Sequence, residues 1–141
     1  MSNNKEAVKK HAAVVAQRAM FQKCVDVLTQ NVEGILYTII ATDDGFPVAY
    51  TNMDEKTATG KAALAASLSG LGDTIAMESS LQQSNAIHIE CGNGFILSRG
   101  INLSGKNIVL LVSSTNDLTL ATLLWHIKKM VDVIVTNFQA A

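Results

Sequence analysis

Apolar and polar positions recur along this chain in two different periods, and the switches between them outline its elements. From Glu6 to Gln30 there is no Gly or Pro, and Val14, Phe21, Cys24, Val25 and Leu28 return at helical spacing. That pattern predicts a helix with one large apolar face. A second, smaller face carries Val8, Ala12, Val15 and Ala19, and Met1 to Lys5 are expected to fray. Ile35 to Thr42 is almost wholly apolar and rich in β-formers, the composition of a strand buried on both faces. Asp43-Asp44-Gly45 follows with turn chemistry, since Asp bonds its own backbone and Gly takes positive φ without steric cost. Phe46, Val48 and Tyr50 then alternate with Pro47, Ala49 and Thr51, which predicts a return strand and a hairpin. Pro47 has no N–H to give to a ladder and is expected at the strand start.

Asp54 is the expected N-cap of a second helix, Glu55 to Ser80, in which Gly70 marks the place for a kink. This helix has two stripes. Leu64, Leu68, Leu71 and Ile75 make a large one, expected to pack on the sheet. Ala58, Ala62, Ala65, Ala66, Ser69, Gly72 and Ala76 make a small one, about 110° around the helix. Small residues allow close backbone approach, so the second stripe is expected to meet a helix of another copy. Three strands come next: Asn85 to Cys91, Phe95 to Ile101 and Asn107 to Ser114, joined by Gly92-Asn93-Gly94 and Ser104-Gly105-Lys106. The short joins predict an antiparallel meander. Asn116 or Asp117 is expected to cap a last helix running to about Gln139, with a core stripe of Leu120, Leu124, Ile127, Val131, Ile134 and Phe138. The order α-ββ-α-βββ-α predicts an α+β fold, one five-stranded antiparallel sheet between helices. With no repeat, linker or low-complexity segment, residues 1–141 read as one domain.

Composition changes this picture in one respect. The hydrophobic share is 48% and the charged share only 16%, so one small domain lacks the polar residues to cover its surface, which favours self-association. Ile87 and Ile89 on a meander edge point the same way. The net charge of −1, with both signs interspersed, argues against nucleic acid or an anionic membrane as partner. No apolar run reaches the length of a membrane span and no signal peptide is visible, so the cytoplasm is the expected compartment. Asn102-Leu103-Ser104 matches a glycosylation triplet that carries no meaning without export.

Catalytic and cofactor chemistry is not evident. Gly60-Lys61 fails as a phosphate loop, because Ala62 stands where Ser or Thr is needed and Glu55 where the first Gly belongs. Ser69-Gly70-Leu71-Gly72-Asp73 lies within a helical pattern rather than after a strand, which excludes a dinucleotide fingerprint. His11, His88 and His126 have no metal-ligand spacing with each other or with Cys24 and Cys91, which read as reduced thiols. His88 and Glu90 share one strand face, better suited to solvent or an interface than to acid–base work. Asp43 and Asp44 are explained by the turn. The arginines are Arg18 and Arg99 alone, and neither lies in an obvious mobile loop. No catalytic, cofactor-binding or metal-ligating residue is therefore assigned. Trp125 lies about 140° from the last helix's core stripe, beside Lys128, Lys129 and Asp132. It reads equally as an interface anchor or as a ring laid over a loop.

The succession of an apolar strand, Asp44-Gly45-Phe46-Pro47-Val48-Ala49, the Ala/Leu-rich helix from Ala62 to Gly72, a meander and a final helix resembles the Roadblock/dynein light chain family. The resemblance covers roughly Val25 to Phe138 and leaves Met1 to Lys23 as an N-terminal helical extension. It implies a homodimer through the second helix and the third strand, one sheet continuous across both chains, and no catalytic residues. It further implies a non-enzymatic regulator or scaffold of a small Ras-like GTPase, the reading of bacterial members. A small-ligand-binding sensory module and a purely structural scaffold subunit are the alternatives. The expected dimer interface is Ala58, Ala62, Ala65, Ala66, Ser69, Gly72, Ala76, Ile87 and Ile89. The expected partner-binding face is Thr59, Lys61, Ala63, Ser67, Thr74 and Glu78, and the structural turn is Asp44, Gly45 and Pro47.

Overall fold

A computed structural model describes residues 11–139; the smaller-face residue Val8 and the fraying expected of Met1 to Lys5 lie outside them. The elements are α1 (Ala12–Ala16), α2 (Arg18–Asn31), β1 (Ile35–Thr42), β2 (Pro47–Tyr50), α3 (Glu55–Glu78), β3 (Ala86–Cys91), β4 (Gly94–Leu103), β5 (Lys106–Thr115) and α4 (Leu120–Asn137). The fold is α+β, with all five strands antiparallel in the order β2-β1-β5-β4-β3. The long N-terminal helix expected from the sequence is divided at Gln17, whose backbone leaves helical geometry (φ −106°, ψ 21°). The Gln17 side chain then ties the two ends of the described chain together. Its amide donates to the Gln139 carbonyl at 2.6 Å and accepts from the Gln139 N–H at 2.8 Å.

The sheet separates two apolar clusters, as strand alternation requires. Ile40, Ile108, Leu110 and Val112 face α2 and α4, meeting Phe21, Val25, Leu28, Leu123, Ile127 and Ile134. Ile39, Ala41, Val109 and Leu111 face α3, meeting Ala58, Ala62 and Ala65. β1 and β5 are the strands buried on both sides, as the apolar run Ile35–Thr42 predicts. A web of hydroxyls holds α2 to the hairpin. Thr29 Oγ1 lies 2.9 Å from Thr38 Oγ1 and 3.0 Å from Thr51 Oγ1, and Thr51 Oγ1 accepts from the Thr38 N–H.

The structure corrects which stripe of α3 lies on the sheet. Ala58, Ala62 and Ala65 are fully buried there, whereas Leu64, Leu71 and Ile75 are 67%, 56% and 59% exposed. The large side chains under α3, among them Tyr37, Ile39, Ile96, Val109 and Leu111, come from the strands, so the helix side of the contact has room for methyl groups. Ala58, Ala62 and Ala65 are thus consumed inside the chain and cannot serve as the expected contact with a second copy. Of the remaining small residues, Ala66, Ser69, Gly72 and Ala76 are half-buried on the flank. The helix runs unbroken past Gly70, because 24 residues anchored along the sheet outweigh the cost of about 1 kcal/mol for one interior glycine. Asp54 caps it, accepting from the Thr57 N–H at 2.8 Å.

Two expectations for the last helix also change. Thr119, not Asn116 or Asp117, is its N-cap, accepting from the Thr122 N–H at 3.2 Å. Leu123 and Met130 are buried while Leu124 is turned outward, so the stripe packed in the core is centred slightly to one side of the expected one, on Leu123, Ile127, Met130, Val131 and Ile134.

The close seat of α3 is testable. Ala62→Leu should destabilise the fold by about 1–3 kcal/mol through overpacking, lowering the melting temperature by roughly 3–10 °C. Ala63→Leu, one residue on and exposed, should stay within about 0.5 kcal/mol. Equal effects in thermal denaturation would show that α3 is seated on another face.

Candidate interaction surface

Leu64, Leu71, Ile75, Leu81 and Ile89 are exposed apolar residues of α3, β3 and the turn between them, while Leu36, Trp125, Val133 and Val135 are exposed elsewhere. Leu64, Leu68, Leu71 and Ile75 recur at helical spacing on α3 and turn away from the sheet, toward its β3 edge. Between them and β3 runs an open groove of about 640 Å³ lined by Leu68, Leu71, Ile75, Leu81, Ile87 and His88. Its floor forms where Gly72 meets Ile87: a Cβ on Gly72 would fall 2.6 Å from Ile87 Cδ1. Gly72 therefore lets helix and strand touch here.

The two edges of the sheet differ. At β2 the Gln22 amide acts as a surrogate peptide, donating to the Tyr50 carbonyl at 2.9 Å and accepting from the Tyr50 N–H at 3.3 Å. That edge is closed by its own chain, one of the ways folded proteins blunt an edge strand. β3 is exposed along its length, with only Ile87 half-buried. Ile87 and Ile89 pair with Ser98 and Ile96 and face the α3 side, while Ala86, His88 and Glu90 pair with Arg99, Leu97 and Phe95 on the other. The expected dimer residues Ile87 and Ile89 thus adjoin the leucine stripe, which periodicity alone assigns to the core.

The expected partner-binding residues Thr59, Ala63, Ser67, Thr74 and Glu78 share the outward face of α3 and are exposed. Lys61 is half-buried, with Nζ 4.6 Å from the centre of the Tyr37 ring. Trp125 lies outside the core, 54% exposed, with Lys129 Nζ 4.0 Å from its ring centre and His126 edge-on. It is not laid over a loop by any contact among the described residues. Arg99 is half-buried beside a cavity of about 400 Å³, and its Nε is buried without a hydrogen-bond partner.

The turn holds a contact that the sequence reading misses. Gly45 has φ +95° and donates to the Thr42 carbonyl at 3.0 Å, and Pro47 opens β2. His11, 33 residues away, is buried and places Nε2 2.8 Å from Asp44 Oδ1. Thr42 Oγ1 donates to the same oxygen at 2.7 Å. Asp43 stands at 3.7 Å, so one imidazole and two carboxylates lie within 4.8 Å of one another. The His11–Asp44 hydrogen bond accounts for this grouping as a latch between the N-terminal segment and the hairpin. No local pattern announces a pair so far apart in sequence. Burial works to raise the Asp44 pKa, but the Thr42 hydroxyl and the His11 ring prevail and hold it below the usual carboxylate value.

Comparison with known proteins agrees with this architecture. A family model described as the Roadblock/LC7 domain matches residues 21–114, and the chain belongs to that family. Among solved structures, it is similar to a Roadblock/LC7 domain from Streptomyces avermitilis (19% identity over 80% of this chain and 92% of the other, TM-score 0.73). It is also similar to MglB of Myxococcus xanthus (16% identity, 86% and 90% covered, TM-score 0.75). The gliding protein MglB of Thermus thermophilus matches at 12% identity (89% and 91% covered, TM-score 0.70). No curated protein matches the chain at a significant level. No helix among the described residues is long and apolar enough to cross a membrane.

The latch predicts a pH dependence. A carboxylate whose pKa is lowered by folding stabilises the native state fully above its unfolded value, ordinarily 3.8. That contribution is lost as the pH falls through the lower folded value. The stability gap between the unaltered chain and Asp44→Asn should shrink as the pH falls from about 5 to below about 4. It should be on the order of 1 kcal/mol or less, because the carboxylate is one-third exposed. Urea titrations showing a gap that widens on acidification would contradict the assignment.

Proposed function

We propose that this Roadblock/LC7 chain is a homodimeric, non-enzymatic regulator or scaffold of a small Ras-like GTPase, with itself and that GTPase as partners and no cofactor. The observation that carries the dimer is the leucine stripe beside an open edge strand. Burying a Leu or Ile side chain is worth about 1.5–3 kcal/mol, and a stripe of four next to unpaired peptide groups is a large cost for an isolated chain. Side-by-side α3 helices and paired β3 strands cover both at once. With flanking loops such a contact reaches the roughly 1,200–2,000 Å² of a specific interface.

The GTPase reading rests on family membership, on likeness to the MglB chains, and on the outward face of α3 that a dimer leaves free. Lys61, expected there, is instead half-buried against the Tyr37 ring, and that face is Thr59, Ala63, Ser67, Thr74 and Glu78. Its groups are small, short or flexible, and none is a nucleophile with an adjacent base. An effect on GTP hydrolysis would then come from ordering the partner's own switch loops, since positioning and electrostatics carry phosphoryl transfer. The contact should depend on nucleotide, because those loops differ between the two states. The cytoplasm is the compartment such a partner requires.

Two measurements test this. Leu68→Asp with Leu71→Asp should give a folded monomer in analytical ultracentrifugation, since both side chains lie on the proposed contact. Ala65→Arg should instead unfold the chain, because Ala65 is fully buried on the sheet. An unaltered chain that is monomeric at tens of micromolar would end the dimer reading. Calorimetric titration with a Ras-like GTPase encoded beside it should show tighter binding in one nucleotide state. Equal affinity in both states would leave a passive scaffold, and no binding together with a co-purified small molecule would favour the ligand-binding alternative.

A further inference from the structure

Resting on the dimer proposed above, we infer its strand register and a salt bridge that locks it: Glu90 of each copy reaches Arg99 of the other across Ala86. The register follows from which peptide groups of β3 are free. The Gly100 N–H donates to the Asn85 carbonyl at 3.2 Å, so Asn85 bonds inward to β4. Alternation along an antiparallel ladder then turns the groups of Ile87, Ile89 and Cys91 inward as well. The N–H and C=O groups of Ala86, His88 and Glu90 point outward, away from β4.

These three residues are symmetric about His88. A two-fold axis perpendicular to the sheet, the one that sets two α3 helices side by side, pairs residues on the same face. With His88 on the axis, Ala86 of one copy faces Glu90 of the other, His88 faces His88, and every outward group of β3 is bonded. On the α3 side, Ile87 of each copy then meets Ile89 of the other, an apolar pair beneath the leucine stripes. An axis at Ile87 or Ile89 leaves one outward residue facing chain beyond the strand, since β3 spans Ala86–Cys91.

The second observation is electrostatic. Arg99 is half-buried, its Nε has no partner, and no described carboxylate pairs with it. Glu90 is exposed and makes no bond either among the described residues. Arg99 pairs with Ala86 within the chain, so the His88-centred register puts Glu90 of the second copy, Ala86 and Arg99 in one row on one face. The outer two lie about 10 Å apart at their Cα atoms, two interstrand spacings. An arginine and a glutamate together span that distance, and the methyl group of Ala86 leaves the path open. The symmetry supplies the bridge twice per dimer.

Charge reversal and cross-linking test the proposal together. Glu90→Arg, on an exposed residue, should keep the fold and weaken the dimer by roughly tenfold or more, since a 1.4 kcal/mol loss over two bridges is tenfold. Arg99→Glu should weaken it similarly, and Arg99→Glu with Glu90→Arg should return the dissociation constant to within about threefold of the unaltered chain, by the same conversion. In a Cys91→Ser background, His88→Cys should form a disulfide between copies, because directly opposed bonded residues lie about 5.5 Å apart. Cross-linking through Ile87→Cys or Ile89→Cys but not His88→Cys would overturn the register. A dimer that persists with no cross-link at any of the three, or one that the double reversal fails to restore, would overturn the inference while leaving dimerisation intact. A monomeric unaltered chain would remove the dimer itself.

Discussion

Ala58, Ala62 and Ala65 seat α3 directly on a sheet face already filled by Tyr37, Ile39, Ile96, Val109 and Leu111. A helix held that closely can turn only one narrow stripe inward, and the stripe must be small. The leucines of α3 are displaced to its flank as a consequence. Exposed apolar area of that kind is rare on a chain that works alone, and it is this area that the proposed dimer would cover. The same seat brings Gly72 onto Ile87 and makes the groove between helix and edge strand continuous.

The sheet edges carry this asymmetry further. Gln22 satisfies both peptide groups of Tyr50 at the β2 edge, which removes them from pairing with another strand. β3 has no such cover among the described residues, and it lies beside the displaced leucines. A cooperating surface needs both features on one side, because unpaired peptide groups give direction and apolar side chains give driving force. The hydroxyl web of Thr29, Thr38 and Thr51 and the His11–Asp44 latch belong to the closed side, where they fix α1 and α2 to the hairpin.

Much of this is legible in the sequence, and the failures share a cause. The element order, the Asp43-Asp44-Gly45 turn, the Asp54 cap and the meander are all legible because each rests on local chemistry: periodicity, φ preference, or a side chain bonding its own backbone. The two stripes of α3 are both visible, but periodicity gives their angular separation and not which one meets the sheet. Hydrophobicity favours the leucines; volume decides for the alanines, and volume depends on strand residues far away in sequence. His11–Asp44 and the unpartnered Arg99 are invisible for the same reason, since each is defined by a non-local neighbour. The α4 stripe is legible to within one residue, and the choice of Leu123 over Leu124 for the core is made by packing against the rest of the fold, which periodicity does not show.

One helix thus offers three separable faces. The alanine stripe holds the sheet, the leucine stripe lies on the flank, and Thr59, Ala63, Ser67, Thr74 and Glu78 look outward. They follow one another at roughly 100–120° around the axis, so adjacent residues belong to different contacts and residues three or four apart to the same one. Ala62, Ala63 and Leu64 are consecutive, yet a change at each would disturb the fold, the outward face and the proposed dimer respectively. This arrangement also limits how a bound partner could influence the dimer. α3 is unbroken from Glu55 to Glu78, so a shift of the helix caused by a load on its outward face would also move the residues of the proposed interface on its flank. Coupling between a partner and the dimer therefore requires no moving loop in this chain, only a helix stiff enough to be held from three sides.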